Sequence, residues 1–514
     1  MTPTFGWSLD YTGARRRVSV VLPIVLLTTA FAATSVQASG YDPASDVNSM
    51  ASTTEYTGAQ AWWAAGYTGQ GVDVALIDSG ISPVEGLDTP GKIVYGPDLS
   101  LESQAPNLTH LDTFGHGTFM AGLIAGRDSA LTAPYEAAPA SAYRGMAPDA
   151  RIVSIKVAVA DGGTDVSQVI AAIDWVVQHR NDDGLHIRVL NISYGTNSSQ
   201  WYGVDPLAFA VEQAWDAGIV VVAAAGNSGY QAKGSTPALA NPAFDKRITA
   251  VGASDSMGTA TLSDDTVPDF SAAARTGSAR APDFVAPGVH LQGLRVPGSW
   301  IDNLDGRTLL GERFMRGSGT SESAAIASGA AALILSKFPH ATPDQVKRLI
   351  RNGAYDMPTQ NSRQSGAGEL RLGTILNAAL PTGILPLAPA VGGGSIELAR
   401  GLDHLTRDGV VLKGERDIFG KALNADTLAI LEAAGNSWSG GTWNGSVWTG
   451  SSWSGNSWSG SSWSGNSWSG NSWSGNSWSG NSWSGNSWSG NSWSGNSWSG
   501  NSWSGNSWST SSWS

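Results

Sequence analysis

Apolar positions over the first three quarters of the chain fall into two recurring patterns. Short, nearly continuous apolar runs alternate with longer stretches whose apolar residues recur at helical spacing. GYTGQGVDVALIDSGIS (66–82) gives a turn, an apolar run from Val72 to Ile77, and Asp78 where the run ends. Strands buried on both faces look like this. RIVSIKVAVA (151–160), IRVLNISYG (187–195), IVVVAAAGN (219–227), ITAVGAS (248–254) and PDFVAPGVHL (282–291) predict further strands. VSQVIAAIDWVVQHR (166–180) sets Val166, Val169, Ile170, Ile173, Val176 and Val177 on one helical stripe, and PLAFAVEQAWDAG (206–218) predicts a second helix. GSGTSESAAIASGAAALIL (317–335) predicts a helix of small residues, and Thr342-Pro343-Asp344 caps another through Ile350. Strand, helix, strand repeated in this way predicts an α/β fold, a three-layer, doubly wound, mostly parallel sheet covered on both faces.

The pattern breaks at both ends. Arg15, Arg16 and Arg17 precede an apolar run from Val18 to about Ala33, then Val36-Gln37-Ala38, which fits a secretory signal peptide over 1–38 cleaved after Ala38. An uncleaved anchor helix is the competing explanation, weakened by Pro23 and the hydroxyl residues in the run. Residues 39–54 are small and polar and read as a short, loose leader, too short to be a folded domain. The main domain is expected over 55–380, followed by a linker and short extension over 381–435. From 436 to 514 the chain becomes a five-residue repeat, mostly Asn-Ser-Trp-Ser-Gly, with Trp at every fifth position from Trp438 to Trp513. Disorder is the ordinary expectation for Ser/Gly-rich sequence. In a flat strand an odd period would send successive tryptophans to opposite faces, and spaced aromatic faces suit stacking on a cell-surface polysaccharide.

Composition narrows the chemistry. Only 14% of the 514 residues are charged, and the net charge of −12 excludes a nucleic-acid partner, which would need clustered Lys and Arg. Cysteine is absent, which removes thiol catalysis, disulfides and thiolate metal sites. What remains is oxygen and nitrogen chemistry. Ser321 follows a glycine-rich turn at the start of its helix, where free N–H groups favour developing negative charge. His116 lies between two glycines in DTFGHGTFMAGLIAG (112–126), while Asp78 and Asn227 fall at the carboxyl ends of predicted strands. Taken singly, each has a structural explanation: a helix N-cap, a surface histidine, and turn-forming Asp and Asn residues.

Four of these stretches occur in one order: VALIDSG, GHGTFMAG, AAAGNSG and GTSESAA. Together with YRGMAPDARIVSIKV, LNISYG, NPAFDKRITAVGA and DFVAPGV, they resemble the subtilases, the subtilisin-like serine proteases, from about Tyr56 to about Ile375. The resemblance implies a secreted or surface-attached, monomeric endopeptidase acting on peptide or protein substrates, with Ser321 as nucleophile, His116 as base and Asp78 as its orienter. It assigns the oxyanion to Asn227 and the backbone N–H of Ser321. It also gives Ser193, Tyr194 and Gly195 as the edge pairing with extended substrate, and Ala224, Ala225 and Gly226 as a pocket wall with its floor near Ala240. Small, apolar walls predict a preference for apolar or aromatic side chains. No cofactor is expected; calcium, common in the family, rests on resemblance alone, because no acidic cluster has convincing ligand spacing.

The chain departs from the family pattern at three places. Phe119 replaces the usual histidine, Glu322 replaces the methionine after the nucleophile, and Ala324-Ala325-Ile326 replace Ser-Pro-His. Glu322 puts a carboxylate beside the reacting serine, where it would raise the proton affinity of the histidine and oppose an oxyanion. Residues 39–54 are also too short for the pro-domain many family members carry. A surface-binding protein with a weakened protease domain therefore stays open, as does a peptide ligase or cyclase using an amine in place of water.

Overall fold

The computed structural model describes residues 40–105, 107–229, 239–275, 280–304, 308–383, 387–402, 404–407, 410–439 and 441–448, with the dipeptides 497–498 and 506–507. The signal peptide expected over 1–38 and most of the repeat tail lie outside the described residues. No helix among the described residues is long and apolar enough to cross a membrane.

Seven strands form the central sheet: β1 (Asp73–Asp78), β2 (Ile93–Asp98), β3 (Arg151–Lys156), β4 (Ile187–Ile192), β5 (Val220–Ala224), β6 (Thr249–Ser254) and β7 (Phe284–Pro287). Their order is β2-β3-β1-β4-β5-β6-β7, and every neighbouring pair is parallel. The inner strands are buried along nearly their whole length, which is why they read as unbroken apolar runs. β2 was not legible in that way: it is an edge strand, half-buried and carrying Gly96 and Pro97. The segment 282–291 divides, its second part leaving as β8 (Leu291–Leu294) for a small antiparallel sheet with β9 (Leu309–Leu310) and β10 (Phe314–Gly317).

Helices lie on both faces. After α1 (Met50–Tyr56) and α2 (Ala59–Ala64) come α3 (His116–Ala125), α4 (Val166–His179), α5 (Pro206–Asp216), the short α6 (Trp300–Leu304), α7 (Thr320–Lys337) and α8 (Pro343–Gly353). α3 and α7 pack on each other over one face of the sheet, and α4 and α5 pack together over the other. α7 is buried from Thr320 to Leu335, the condition for a helix with no polar side. Helix starts follow the sequence signals: Asp165 with Gln168 and Thr342 with Gln345 form capping boxes, and Asp205 caps α5 ahead of Pro206.

The chain runs from β1 to β2 and β3 on one side of it and to β4 on the other. The carboxyl end of β1 is therefore the topological switch point, where open α/β sheets place their sites. Asp78 is the last residue of that strand.

Both flanking segments are more structured than their composition suggests. Residues 40–56, expected as a loose leader up to 54, are seated on the antiparallel sheet: Met50 N–H donates to Gln292 Oε1 (2.9 Å), and Gln292 N–H donates to Asn48 O (2.9 Å). After α9 (Ser362–Ser365), the segment expected as a linker and short extension holds α10 (Ile396–Arg400), the β11–β12 pair (Thr406–Arg407, Val410–Val411) and α11 (Ala425–Ala433). Ile396, Ala399, Leu412, Ile418, Leu423 and Leu428 belong to the same hydrophobic core as the central sheet. Arg400 and Asp165 form an ion pair (2.6 Å) with both side chains fully buried.

The first repeats continue this docking. β13 (Trp438–Ser439), β14 (Thr442–Trp443) and β15 (Ser446–Val447) form an antiparallel meander in which Trp438 and Trp443 are direct cross-strand partners. The chain reverses at each repeat, so these tryptophans share one face, unlike the alternation expected of a flat strand. All three rings are buried: Trp438 donates to Ala171 O (2.8 Å), Trp443 to Asp174 Oδ2 (2.7 Å) and Trp448 to Leu99 O (3.3 Å).

Candidate active site

His116 is the first residue of α3, and its Nδ1 lies 2.8 and 2.9 Å from the two carboxylate oxygens of Asp78. Both side chains are nearly out of solvent, at 12% and 7% exposed. An ionised carboxylate only accepts hydrogen bonds, so this contact puts the proton of the neutral ring on Nδ1 and leaves Nε2 as the acceptor.

Two glycines permit the geometry. Gly115 has φ 101°, which turns the chain into the helix, and a Cβ on Gly117 would lie 2.2 Å from Gly80 O. The remaining positioning comes from Asp112 and Ser79, to which sequence patterns gave no role. The buried Asp112 carboxylate accepts from Gly115 N–H (2.6 Å), Thr118 N–H (2.7 Å) and Ser79 Oγ–H (2.7 Å). Ser79 Oγ accepts from Gly117 N–H (2.9 Å), and Ser79 N–H donates to Asp78 Oδ1 (2.7 Å). The strand bearing Asp78 and the helix bearing His116 are thus joined through one hydroxyl. The only cue in the sequence is a carboxylate four residues before the histidine.

At the head of α7, Asn227 Oδ1 accepts from Thr320 N–H (2.9 Å) and Thr320 Oγ1–H (3.0 Å), and that hydroxyl accepts from Gly226 N–H (3.0 Å). Using Oδ1 in this way fixes the orientation of the amide. Nδ2 faces the helix start, 3.2 Å from the point a Cβ on Gly319 would occupy. Ser321, 4% exposed, directs its hydroxyl toward Ser193 O (3.4 Å). The residues expected to form the substrate edge and pocket also converge: a Cβ on Gly195 would lie 2.6 Å from Ala240 Cβ, and one on Gly226 would lie 3.1 Å from it. Ala225, following Ala224 at the end of β5, receives Ala240 N–H on its carbonyl (2.9 Å), and Tyr194 is half-buried beside them.

Glu322 lies inside this site, 7% exposed. A Cβ on Gly317 would lie 2.4 Å from Glu322 Oε1 and 2.7 Å from the Phe119 ring. Two departures from the family pattern, distant in sequence, thus meet in space. Burial pushes the Glu322 carboxyl above its usual range against the attraction of His116. Burial lowers the proton affinity of His116, but the Asp78 charge and hydrogen bond outweigh it, with Glu322 and Asp112 adding to them, so the ring is raised to about 9. Among the described residues, no group of three or more His, Asp or Glu side chains converges to hold a metal ion.

A subtilase family model, Peptidase S8, matches residues 69–369, more than half of the chain. The chain belongs to the subtilase family. Serine protease AprX of Bacillus subtilis (strain 168) is 36% identical to this subtilase over 305 residues, 59% of the chain and 65% of AprX, just under two thirds of that protein. Subtilisin DY of Bacillus licheniformis is 32% identical over 295 residues, covering 57% of the chain and 87% of that protein. Subtilisin E of Bacillus subtilis (strain 168) is 33% identical over 301 residues, covering 58% of the chain and 64% of that protein. The matched region ends before α10, so the docked extension lies outside it.

Proposed function

We propose that this subtilase is an endopeptidase that cleaves peptide bonds through an acyl-enzyme on Ser321. Substrate lies extended along Ser193–Gly195, with the side chain before the scissile bond directed between Gly226 and Ala240. Ser321 Oγ attacks the carbonyl carbon as its proton passes to His116 Nε2, and Asp78 stabilises the imidazolium that forms. The carbonyl oxygen, now an oxyanion, is held by Asn227 Nδ2 and Ser321 N–H at the positive end of α7. His116 returns the proton to the departing amine, and a water molecule, activated by the same histidine, hydrolyses the ester.

The observation that carries this proposal is the paired contact of His116 with Asp78 at the switch point of the sheet, with α3 packed on the helix bearing Ser321. A fluorophosphonate should label the full chain and an apolar peptide anilide should be hydrolysed, both abolished in Ser321→Ala. Labelling that persists in the variant would remove Ser321 from its role. Export is proposed from the Arg15–Ala38 pattern. Any polysaccharide contact would fall to repeats after Trp448, since the first three tryptophan rings are buried.

A further inference from the structure

We infer that residues 390–402 of the C-terminal extension are a positioning element for the substrate-binding edge. This rests on Ser193–Gly195 and Ala240 receiving the substrate, as proposed above. The edge leads directly into a loop, residues 196–205, that is held from two sides. On the inner side, Thr196 exchanges backbone hydrogen bonds with Asn241 (3.0 and 2.9 Å), next to the pocket floor, and Asp205 Oδ1 accepts from Asn241 Nδ2 (3.1 Å).

On the outer side every partner comes from the extension. Thr196, buried, donates its hydroxyl to Ala399 O (2.6 Å), and Asn197 Oδ1 accepts from Leu402 N–H (2.8 Å). Val391 N–H and Gly394 N–H donate to Gly203 O (2.8 Å) and Val204 O (2.7 Å). Ser395 N–H donates to Gln200 Oε1 (2.8 Å), whose amide returns a bond to Ser395 O (3.2 Å). A Cβ on Gly401 would lie 2.1 Å from Asn197 Oδ1, so the extension crosses the loop at backbone distance.

Two hydrogen-bonded layers therefore flank the loop that follows the edge, and the outer one lies outside the family region. Gly195 and Ala240 nearly touch, so a shift of Thr196 alters both the strand that pairs with the substrate backbone and the width of the pocket. Asn227 and the head of α7 are tied through Thr320 and Gly226, and Ser321 meets the edge at Ser193 (3.4 Å), three residues ahead of Thr196. The extension thus acts on how extended peptide is bound and leaves the chemistry at the serine alone.

The test is Thr196→Val in the full chain, which keeps the shape and removes the hydroxyl donor. KM for tetrapeptide anilides with an apolar residue before the scissile bond should rise about tenfold, as expected when a buried acceptor loses its donor. Turnover number and the rate of fluorophosphonate labelling, which needs no extended substrate, should stay within about twofold. If Thr196→Val does not fold, Asn197→Ala, at an exposed position, should give the same split. An unchanged KM overturns the inference, and so does a parallel loss of labelling, turnover and KM, which marks general loosening. Absence of labelling in the unaltered chain would instead defeat the underlying endopeptidase proposal.

Discussion

His116 is pulled two ways, by burial that disfavours its charged form and by three carboxylates that favour it. With the ring raised to about 9, the neutral form that would accept the Ser321 proton in the proposed mechanism grows as pH rises toward that value. The acid limb of kcat/KM should therefore lie well above neutrality. Glu322 is the unusual contributor, so Glu322→Met should move that limb downward. Each unit of movement is worth about tenfold in activity at pH 7. A pH–rate profile for a peptide anilide checks this, and an unmoved limb would show that Glu322 adds nothing to the affinity. Asp78, His116, Asn227 and Ser321 were legible because each sits in its own short motif. Asp112, Ser79 and Thr320 were not, because their roles arise only when segments 33 to 94 residues apart are brought together.

At the scale of elements, strands buried on both faces and helices with an apolar stripe declared themselves, whereas β2 and the extension did not. β2 has one exposed edge and a Gly-Pro pair, and α10, at five residues, is too short for periodicity to show. The repeats misled for a geometric reason. Two-residue strands joined by tight turns at Gly441 and Gly445, both at positive φ, convert an odd period into a one-sided row. The seam beneath that row joins Trp443 to Asp174 on α4, with Glu432 of α11 facing the same carboxyl. Trp443→Phe keeps an aromatic ring but removes the donor and the pyrrole half of the indole, with about 1–3 kcal/mol for the unpaired buried acceptor alone. Hydrogen exchange over residues 425–448 should accelerate by roughly tenfold or more. Unaltered exchange there would mean that neither the hydrogen bond nor the bulk of the indole holds the seam.

Among the described residues, three pairs of buried carboxyl groups face each other: Asp174 with Glu432, Asp245 with Glu212, and Asp265 with Glu369. Burial raises Asp174 to about 7; burial and the neighbouring carboxylate raise Asp245 and Asp265 each to about 8. In the folded chain these groups hold protons that the unfolded chain releases near its ordinary value of 3.8. Between about pH 4 and 7 the native state therefore binds more protons, and stability falls as pH rises. His116 adds a loss from its usual 6.5 toward 9, while Lys92 and Lys347, lowered mainly by burial to about 7 and 8, work in the opposite sense at higher pH. Urea unfolding midpoints at fixed ionic strength should decline from pH 4.5 to 7, with the slope reduced in Asp265→Asn. A rising midpoint over that interval would contradict the shared-proton pairs.

The seam of Trp438, Trp443 and Trp448 joins the first repeats to residues 99, 171 and 174, spans of 267 to 349 positions. Loops of that size close late in folding, because their entropy must be spent before the contact can return anything. Contacts absent from the folding transition state leave the folding rate nearly untouched and slow the reverse step. The docked repeats therefore act as a brake on unfolding, and if the proposed endopeptidase activity holds, the time each molecule stays closed decides how soon its neighbours digest it.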